Sequence, residues 1–429
     1  MRDGSGSDRI GFFGCVLAPS EKLRYVPGEV NFARPRLAGV PRRQPVLRIA
    51  MLSSQREFYG GEVHLLDLAV ALRDRGHRVA CFVRPDSELR RRLVAADLEV
   101  AALPLVDWYE PVGMVALARR LRDWRPDILH THNPRDYYIA GAATVNLRTA
   151  NVGTRHHLRP IACARLKRPF LRRFAAMIAV SEAVRGSLLA AGLPARRVVT
   201  IPNGVRLPVE TACATDLRRE LGVDAAAGPV VGCVGRLSPA KGPHRLLWAA
   251  ALLRRRWPGL QVVLIGGDSG NGGYARRLRE LAADLRVDAR FCGYRESAAR
   301  LLPALDVLAV PSRAEPFGLV TVEALARGVP VVATRSGGSG EIVRDGRDGL
   351  LVPPDDPEAL AAALHRMLAD SLLRERCRRS GAARVAARFT LARQCLLTER
   401  VYAAAMAGWP PVAPATAGET RLTGAGAGR

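Results

Sequence analysis

Three things are scarce in this 429-residue sequence, and each scarcity excludes something. Lysine is the first. Only Lys22, Lys167 and Lys241 stand among 65 basic residues, which face 40 acidic ones for a formal net charge of +25. So lopsided a use of arginine reflects composition more than function, which makes a lysine inside a motif informative. Aromatic residues are the second, at 5%. Basic residues without interleaved aromatics lack the stacking platforms of nucleic-acid binders, so nucleic acid is not expected as a partner. Paired cysteines are the third. Cys15, Cys81, Cys163, Cys213, Cys233, Cys292, Cys377 and Cys395 are scattered without a Cys-x-x-Cys. That argues against a zinc ribbon or a disulfide framework and for a reducing, cytoplasmic setting. A membrane-spanning run is missing as well: the longest uncharged stretch, 401–418, contains Pro410, Pro411 and Pro414. Residues 10–18 are apolar behind Arg9, but no small-x-small cleavage site follows them.

What is present is alternation. Short apolar runs recur at 46–52, 79–83, 100–103, 127–130, 151–154, 177–180 and 198–201, separated by amphipathic stretches such as 63–75 and 112–124. Strands alternating with helices predict βαβ units, right-handed crossovers and a parallel sheet, hence an α/β, doubly wound domain over 46–205. A segment bearing Pro and Gly, 201–208, interrupts the pattern and reads as a hinge. The alternation restarts at 230–234, 261–265, 288–291, 307–310 and 329–333, giving a second doubly wound domain over 206–390 that ends in helical stretches near 357–370 and 371–388. A last amphipathic stretch, 391–406, is expected to cross back onto the first domain. Residues 1–45 and 408–429 show no periodicity. They are expected to be a disordered extension, or a start-site artefact, and a disordered tail.

In open α/β sheets ligands bind beyond the carboxyl ends of the strands, so chemistry is sought in the loops there. After the first strand of the second domain, Gly235, Arg236, Lys241 and Gly242 put two cations in a glycine-bearing loop that opens a helix. Such a loop suits a diphosphate, though it also fits a solvent-exposed turn. Further on, Glu315, Pro316, Phe317, Gly318, Leu319, Val320 and Glu323 place one carboxylate before a helix and one inside it. The N–H groups of Gly318, Leu319 and Val320 are then free for phosphate oxygens. Eight residues of helix would span ~12 Å, more than a glycosidase pair at ~5–9.5 Å; only Glu315 lying off the helix would bring the two closer, and distinct binding roles fit better than a shared catalytic dyad. Gly337 and Gly338 allow close backbone approach to a ligand or simply make a tight turn. In the first domain, Gly60, Gly61 and Glu62 open the first helix as another anion site, and His156 and His157 end a strand toward the inter-domain cleft. His130 and His132 also end a strand, but spacing suggests no third metal ligand, and no metal site is expected. No Asp-x-Asp exists to chelate a metal on a nucleotide-sugar. The densest basic cluster is Arg155, Arg159, Arg165, Lys167, Arg168, Arg172 and Arg173. It reads as a solvated helix face or as a contact with an anionic membrane.

In this order and spacing the motifs resemble the GT-B retaining glycosyltransferases of family 4, the glycosyl transferases group 1, over roughly 46–405. Tyr59 to Glu62, Val180-Ser181-Glu182, Ile201 to Val205, Gly235 to Gly242, Glu315 to Glu323, Gly337 to Glu341 and Gly349 to Pro353 carry the likeness together. It implies two Rossmann-like domains facing a cleft, with residues 46–205 on the acceptor side and 206–390 binding a nucleoside-diphosphate sugar. Arg236 and Lys241 would hold the diphosphate. Glu315 matches the glutamate that contacts the transferred sugar, and Glu323 the one that bonds the ribose. Gly61 would approach from across the cleft, and His156 or His157 would lie near the sugar. The implied reaction retains anomeric configuration, uses no metal or cofactor, and serves an acceptor in cell-envelope glycolipid, lipopolysaccharide or polysaccharide synthesis at the inner membrane face. One stretch departs from the pattern. The glycine-rich loop 266–273 is longer than the family's turn and contains Gly270-x-Gly272-x-x-Ala275 with Asp288 downstream. This supports a rival reading as an NAD-dependent oxidoreductase. A catalytically inactive nucleotide-sugar-binding protein is a third reading.

Overall fold

The computed structural model describes residues 45–105, 111–159, 161, 168–209, 213–224, 226–268 and 272–408. Of the expected extension over 1–45 and tail over 408–429, all but residues 45 and 408 lie outside the described residues. In the first domain, strands and helices alternate as β1 (Arg48–Ser53), α1 (Gly60–Asp74), β2 (Arg78–Val83), α2 (Glu88–Ala95), β3 (Glu99–Ala102), α3 (Pro111–Trp124), β4 (Ile128–Thr131), α4 (Pro134–Ala143), β5 (Ala150–Arg155), α5 (Arg168–Leu171), β6 (Phe174–Ala179), α6 (Glu182–Ala190) and β7 (Val198–Thr200). The second continues with α7 (Ala214–Glu220), β8 (Val230–Val234), α8 (Pro243–Leu253), β9 (Gln261–Ile265), α9 (Gly273–Asp284), β10 (Asp288–Gly293), α10 (Ala298–Leu301), β11 (Val307–Val310), α11 (Leu319–Ala326), β12 (Val331–Thr334), α12 (Ser339–Ile342) and β13 (Leu350–Val352). Three helices close the chain: α13 (Pro357–Ala369), α14 (Ser371–Arg388) and α15 (Leu391–Met406).

Both sheets are parallel, with strand orders β3-β2-β1-β4-β5-β6-β7 and β10-β9-β8-β11-β12-β13. Central strands covered by helices on both faces must be apolar throughout. Accordingly Ile49 to Leu52, and Val262 to Leu264, are fully buried. The outer strands β3 and β10 are half-buried or exposed throughout. Side chains of Ser87, Ser181, Asp356, Asp370 and Thr390 cap helix N-termini by accepting a backbone N–H of the first turn. The short β13, not expected as a strand, pairs with β12 at the sheet edge.

The order of each sheet reverses next to its first strand, between β1 and β4 and between β8 and β11. These switch points open the crevices in which α/β sheets bind ligands. Two chain segments connect the domains, and they pair with each other. Val205 N–H donates to Phe389 carbonyl at 2.9 Å, and Leu391 N–H to Val205 carbonyl at 3.0 Å. Helix α15 then packs on α1 and β5 of the first domain. Its Glu399 carboxylate accepts from Arg75 Nη2 at 2.7 Å and contacts His77 Nε2 at 3.0 Å.

Candidate active site

The loop after β8 carries Lys241, and the loop after β11 carries Glu315, so the second switch point brings them together. Lys241 Nζ lies 2.9 and 2.8 Å from the two oxygens of Glu315, and Ser312 Oγ donates to the same carboxylate at 2.9 Å. Glu315 is 4% exposed. A carboxylate this buried is tolerated because a cation and a hydroxyl answer it. Its backbone carbonyl accepts the Gly338 N–H at 2.8 Å. Gly337, at φ +52°, runs so close that an added Cβ would stand 2.0 Å from that carbonyl oxygen. Glycine is therefore required at 337.

Gly318, at φ +110°, precedes α11 next to this node, where an added Cβ would stand 3.5 Å from Glu315 Cγ. The amides of Leu319 and Val320 sit in the first turn of α11, where intrahelical acceptors are lacking. Glu323, one turn on, is pushed up to about 7 by burial, offset by Arg327 and reinforced by Asp67 of α1. Phe317, expected among the donor contacts, turns the other way: it is 4% exposed and packs edge-on to Phe389 at 6.1 Å. Its apolar ring belongs to the core between α11 and the crossing segment.

Across the cleft, Arg236 stacks its guanidinium over the Tyr59 ring at 4.7 Å, joining the two domains. Gly60 has no heavy atom within 4 Å of an added Cβ, and Gly61 meets only the His156 ring, at 3.6 Å. Glu62, also expected in the cleft, is 3% exposed; its carboxylate accepts the Tyr59 N–H at 3.2 Å. It fills the start of its own helix, so α1 offers less of an anion site than its glycines suggest. Burial holds Glu62 up at about 7. His157 is lowered to about 4, first by burial and then by Arg155 and Arg236. The Arg236 charge thus reaches it from the second domain.

His156 turns into its own domain. There α1 and the ends of β4 and β5 bring His64, His132 and His156 together, with one ring nitrogen of each within 4.8 Å of the others. The spacing of His130 and His132 did not suggest His64, because α1 supplies it from a distant stretch of sequence. Whether this trio suits a metal depends on Gln394 of α15. Its Oε1 accepts the Gly204 N–H at 2.7 Å, so its amide N–H groups face His64 Nε2. The His64 proton is thereby placed on Nδ1, which leaves that atom a donor rather than a metal ligand. Burial keeps all four rings neutral: His64 and His130 fall to about 3, and His132 and His156 well below the usual value. His130 bonds Tyr402 Oη at 2.6 Å and Thr154 Oγ1 at 2.7 Å.

A clasp closes the cleft beside the Glu315 loop. Ser181 Oγ donates to the Pro316 carbonyl at 2.6 Å, and the Glu341 carboxylate accepts the Glu182 and Ala183 N–H groups at 2.8 and 3.1 Å. Both residues stood in the motifs, but sequence alone gave them no role.

Two other expectations change. Arg155 is 2% exposed, so it is neither a solvated helix face nor a membrane contact. Arg173 donates to the Thr144 and Val145 carbonyls, both at 2.9 Å; Arg165, Lys167 and the Arg168 side chain lie outside the described residues. Asp288, which a dinucleotide reading needs at the carboxyl end of a strand, instead begins β10 and pairs with Arg290 at 2.8 Å. Gly270 lies outside the described residues, and Asp268 caps α9 through the Ala275 N–H at 2.8 Å.

Two parallel, doubly wound domains with this cleft define a GT-B glycosyltransferase fold. The chain belongs to family 4 of these enzymes: Glycosyltransferase Family 4 matches residues 58–207, and Glycosyl transferases group 1 matches residues 222–384. A D-inositol 3-phosphate glycosyltransferase of Corynebacterium urealyticum is 47% identical over 160 residues, 36% of this chain and 38% of that protein. One of the same name from Salinispora arenicola is 41% identical over 231 residues, 50% of this chain and 51% of that protein. The match thus spans about half or less of these curated relatives. Among solved structures, Anabaena Alr3699/HepE in complex with UDP and glucose superposes with TM-score 0.75 at 25% identity, covering 83% of this chain and 99% of that one. The sucrose-phosphate synthase of Thermosynechococcus elongatus superposes at 0.71 with 24% identity, covering 83% and 98%. No described helix is long and apolar enough to cross a membrane.

Proposed function

We propose that the protein transfers a sugar from a nucleoside-diphosphate sugar to an acceptor hydroxyl with retention of anomeric configuration. The observation that carries this reading is the Lys241–Glu315–Ser312 node at the second switch point, beside the open first turn of α11. The donor diphosphate lies against Lys241, Arg236 and the Leu319 and Val320 amides. Its arrival draws Lys241 toward phosphate, and the Glu315 carboxylate then turns to hydroxyls of the sugar. Glu323 receives the ribose hydroxyls. The sugar–phosphate bond breaks with its electron pair passing to the diphosphate. The acceptor oxygen bonds the same face of the anomeric carbon, and its proton passes to the departing phosphate oxygen. These cations and helix dipoles stabilise the leaving charge without a metal ion.

The first domain takes the acceptor along Gly60, Gly61 and His157, with His156 beneath. The names of the relatives make a phosphorylated cyclitol the first acceptor to try, and the HepE complex with UDP and glucose makes UDP the first nucleotide. A lipid-linked acceptor in cell-envelope synthesis, met at the inner membrane face, is the wider class. The test is a thermal-shift screen against UDP, GDP, ADP, dTDP, NAD and NADP without added metal. A ligand at ~100 times its dissociation constant stabilises by ~2.7 kcal/mol. A shift with one nucleoside diphosphate, lost in Glu323→Ala, is expected. A shift with NAD alone would overturn the transferase reading.

A further inference from the structure

Away from the cleft, the second domain gathers arginines where acids are scarce. A groove of about 740 Å³ runs between α14 and the turn after α12. Its floor is made of short side chains, Ser380, Ala383 and Ala387, which share one face of α14. Arg376, Arg379, Arg384 and Arg388 rise from α14 around that floor, and Arg344 and Arg347 close it from the turn. No carboxylate lines it.

The arrangement is distinguished by convergence rather than by unpaired charge alone: six arginines share one groove. Some surface arginines elsewhere answer to acids: Arg84 to Asp86, Arg218 to Asp306, Arg300 to Glu220. In the groove the available acids are few. Asp348 lies fully buried and already accepts Arg344 at 2.7 and 2.8 Å and Ser380 Oγ at 2.6 Å. Glu375 meets Arg379 at 3.3 Å. Arg347 and Arg388 make no ion pair among the described residues, and Arg376 donates to the Gly346 carbonyl at 3.0 Å. Arg384, with its side chain 10% exposed, also lies 3.5 Å from Asp348 and donates to the Ile342 and Glu341 carbonyls at 2.6 and 2.8 Å. Its guanidinium is held below the usual range by burial first and by Arg388 next. Six like charges converge on a hollow of ligand size with two acids between them.

We infer that this groove is a binding site for a phosphate-bearing anion carrying more than one negative charge. Guanidinium groups match phosphate oxygens two at a time, and a multivalent anion relieves the crowding that Arg384 records. The phosphate can come from a soluble polyphosphate or from anionic phospholipid headgroups. The inference does not depend on the transferase reading, because no residue placed in the cleft lines the groove.

The test compares the full chain with the triple variant R347Q/R376Q/R388Q, which spares Arg344 and Arg384 and so leaves Asp348 paired. Tripolyphosphate binding is followed by calorimetry, and binding to phosphatidylcholine vesicles with and without phosphatidylglycerol by cosedimentation. The wild type is expected to hold one of these probes at least ~10-fold more tightly than the variant, about 1.4 kcal/mol. A difference confined to tripolyphosphate identifies a soluble ligand, and one confined to phosphatidylglycerol vesicles a membrane surface. A tripolyphosphate site in the cleft appears in both proteins and cancels. Wild type and variant indistinguishable with both probes would overturn the inference.

Discussion

Replacing Lys241 with alanine removes one ammonium that serves both folding and chemistry. In the free protein that ammonium is the cation on Glu315, whose side chain is 5% exposed. Stripping the cation from a buried pair costs ~3–5 kcal/mol, because the remaining charge is left without compensation. For a domain of this size each kcal/mol moves Tm by about 2–4 °C, so Lys241→Ala should melt ~6–20 °C lower. With donor bound, the same ammonium stabilises the departing diphosphate, and losing such a contact typically lowers the rate ~10²–10³-fold. The two effects separate in the double variant Lys241→Ala/Glu315→Gln. Neutralising the orphaned carboxylate should return most of the lost Tm, while the rate of donor turnover stays low. Differential scanning fluorimetry and initial rates of nucleotide release measure the two quantities on the same samples. Should Lys241→Ala melt within a degree of wild type and turn over within a few-fold, the node has neither role. Should the double variant stay as unstable as the single one, an uncompensated Glu315 is not the cause.

Four further outcomes are expected. Gly61→Ala should leave Tm unchanged, since its Cβ would stand 3.6 Å from His156, an ordinary contact, but should raise the KM for acceptor by narrowing the cleft; an unchanged KM would place the acceptor elsewhere. Incubation with EDTA should leave turnover unchanged, and a chelated enzyme restored by manganese would contradict the metal-free reaction. Glu399→Ala should release α15 and lower Tm by several degrees, because Arg75 and the buried His77 lose their carboxylate, as a melting curve will report. The Tm profile should fall slowly from pH 6.5 to ~4.5, where the raised carboxyls offset all but one or two of the four histidines, and steeply below. His64, His130, His132 and His156 have lowered values, so their neutral folded forms lose stability as pH drops below 6.5. Glu62 and Glu323, up at about 7, and Asp136, up at about 6, oppose this until the unfolded carboxyls also protonate near 4.5 and 3.8. Below that the histidines act alone, each worth ~1.4 kcal/mol per pH unit, and a profile steepest near neutrality would refute the assignment.

Much of this architecture was written in apolar spacing. Strands buried on both faces, such as β8, β9 and β11, appear as short runs dominated by Val, Leu and Ile, and their ends agree with the runs at 230–234, 261–265 and 307–310. The edge strand β13 was not read as a strand, although β7, equally short, was. Loop motifs located the cleft but not the direction in which individual side chains point. Phe317 and Glu62 sit in motifs, yet one packs on Phe389 and the other caps its own helix. Neither outcome follows from residue type. His64 and Gln394 lie 330 positions apart, and only the return of α15 brings them together. The pairing of Lys241 with Glu315 likewise depends on the adjacency of β8 and β11, which is a property of topology.

The returning helix also bears on how the chain is made. Tyr402 is fully buried against His130, and Glu399 neutralises Arg75, so the first domain borrows part of its interior from the last helix. Synthesis delivers β7 at residue 200 and finishes α15 at residue 406. At ~5–20 residues per second the leading domain waits on the order of 10–40 seconds for that piece. During this time its histidine-bearing face has no cover, while the whole second domain emerges behind it. A nascent chain of this design is most exposed in its first half, and the tunnel exit is where a chaperone would find it.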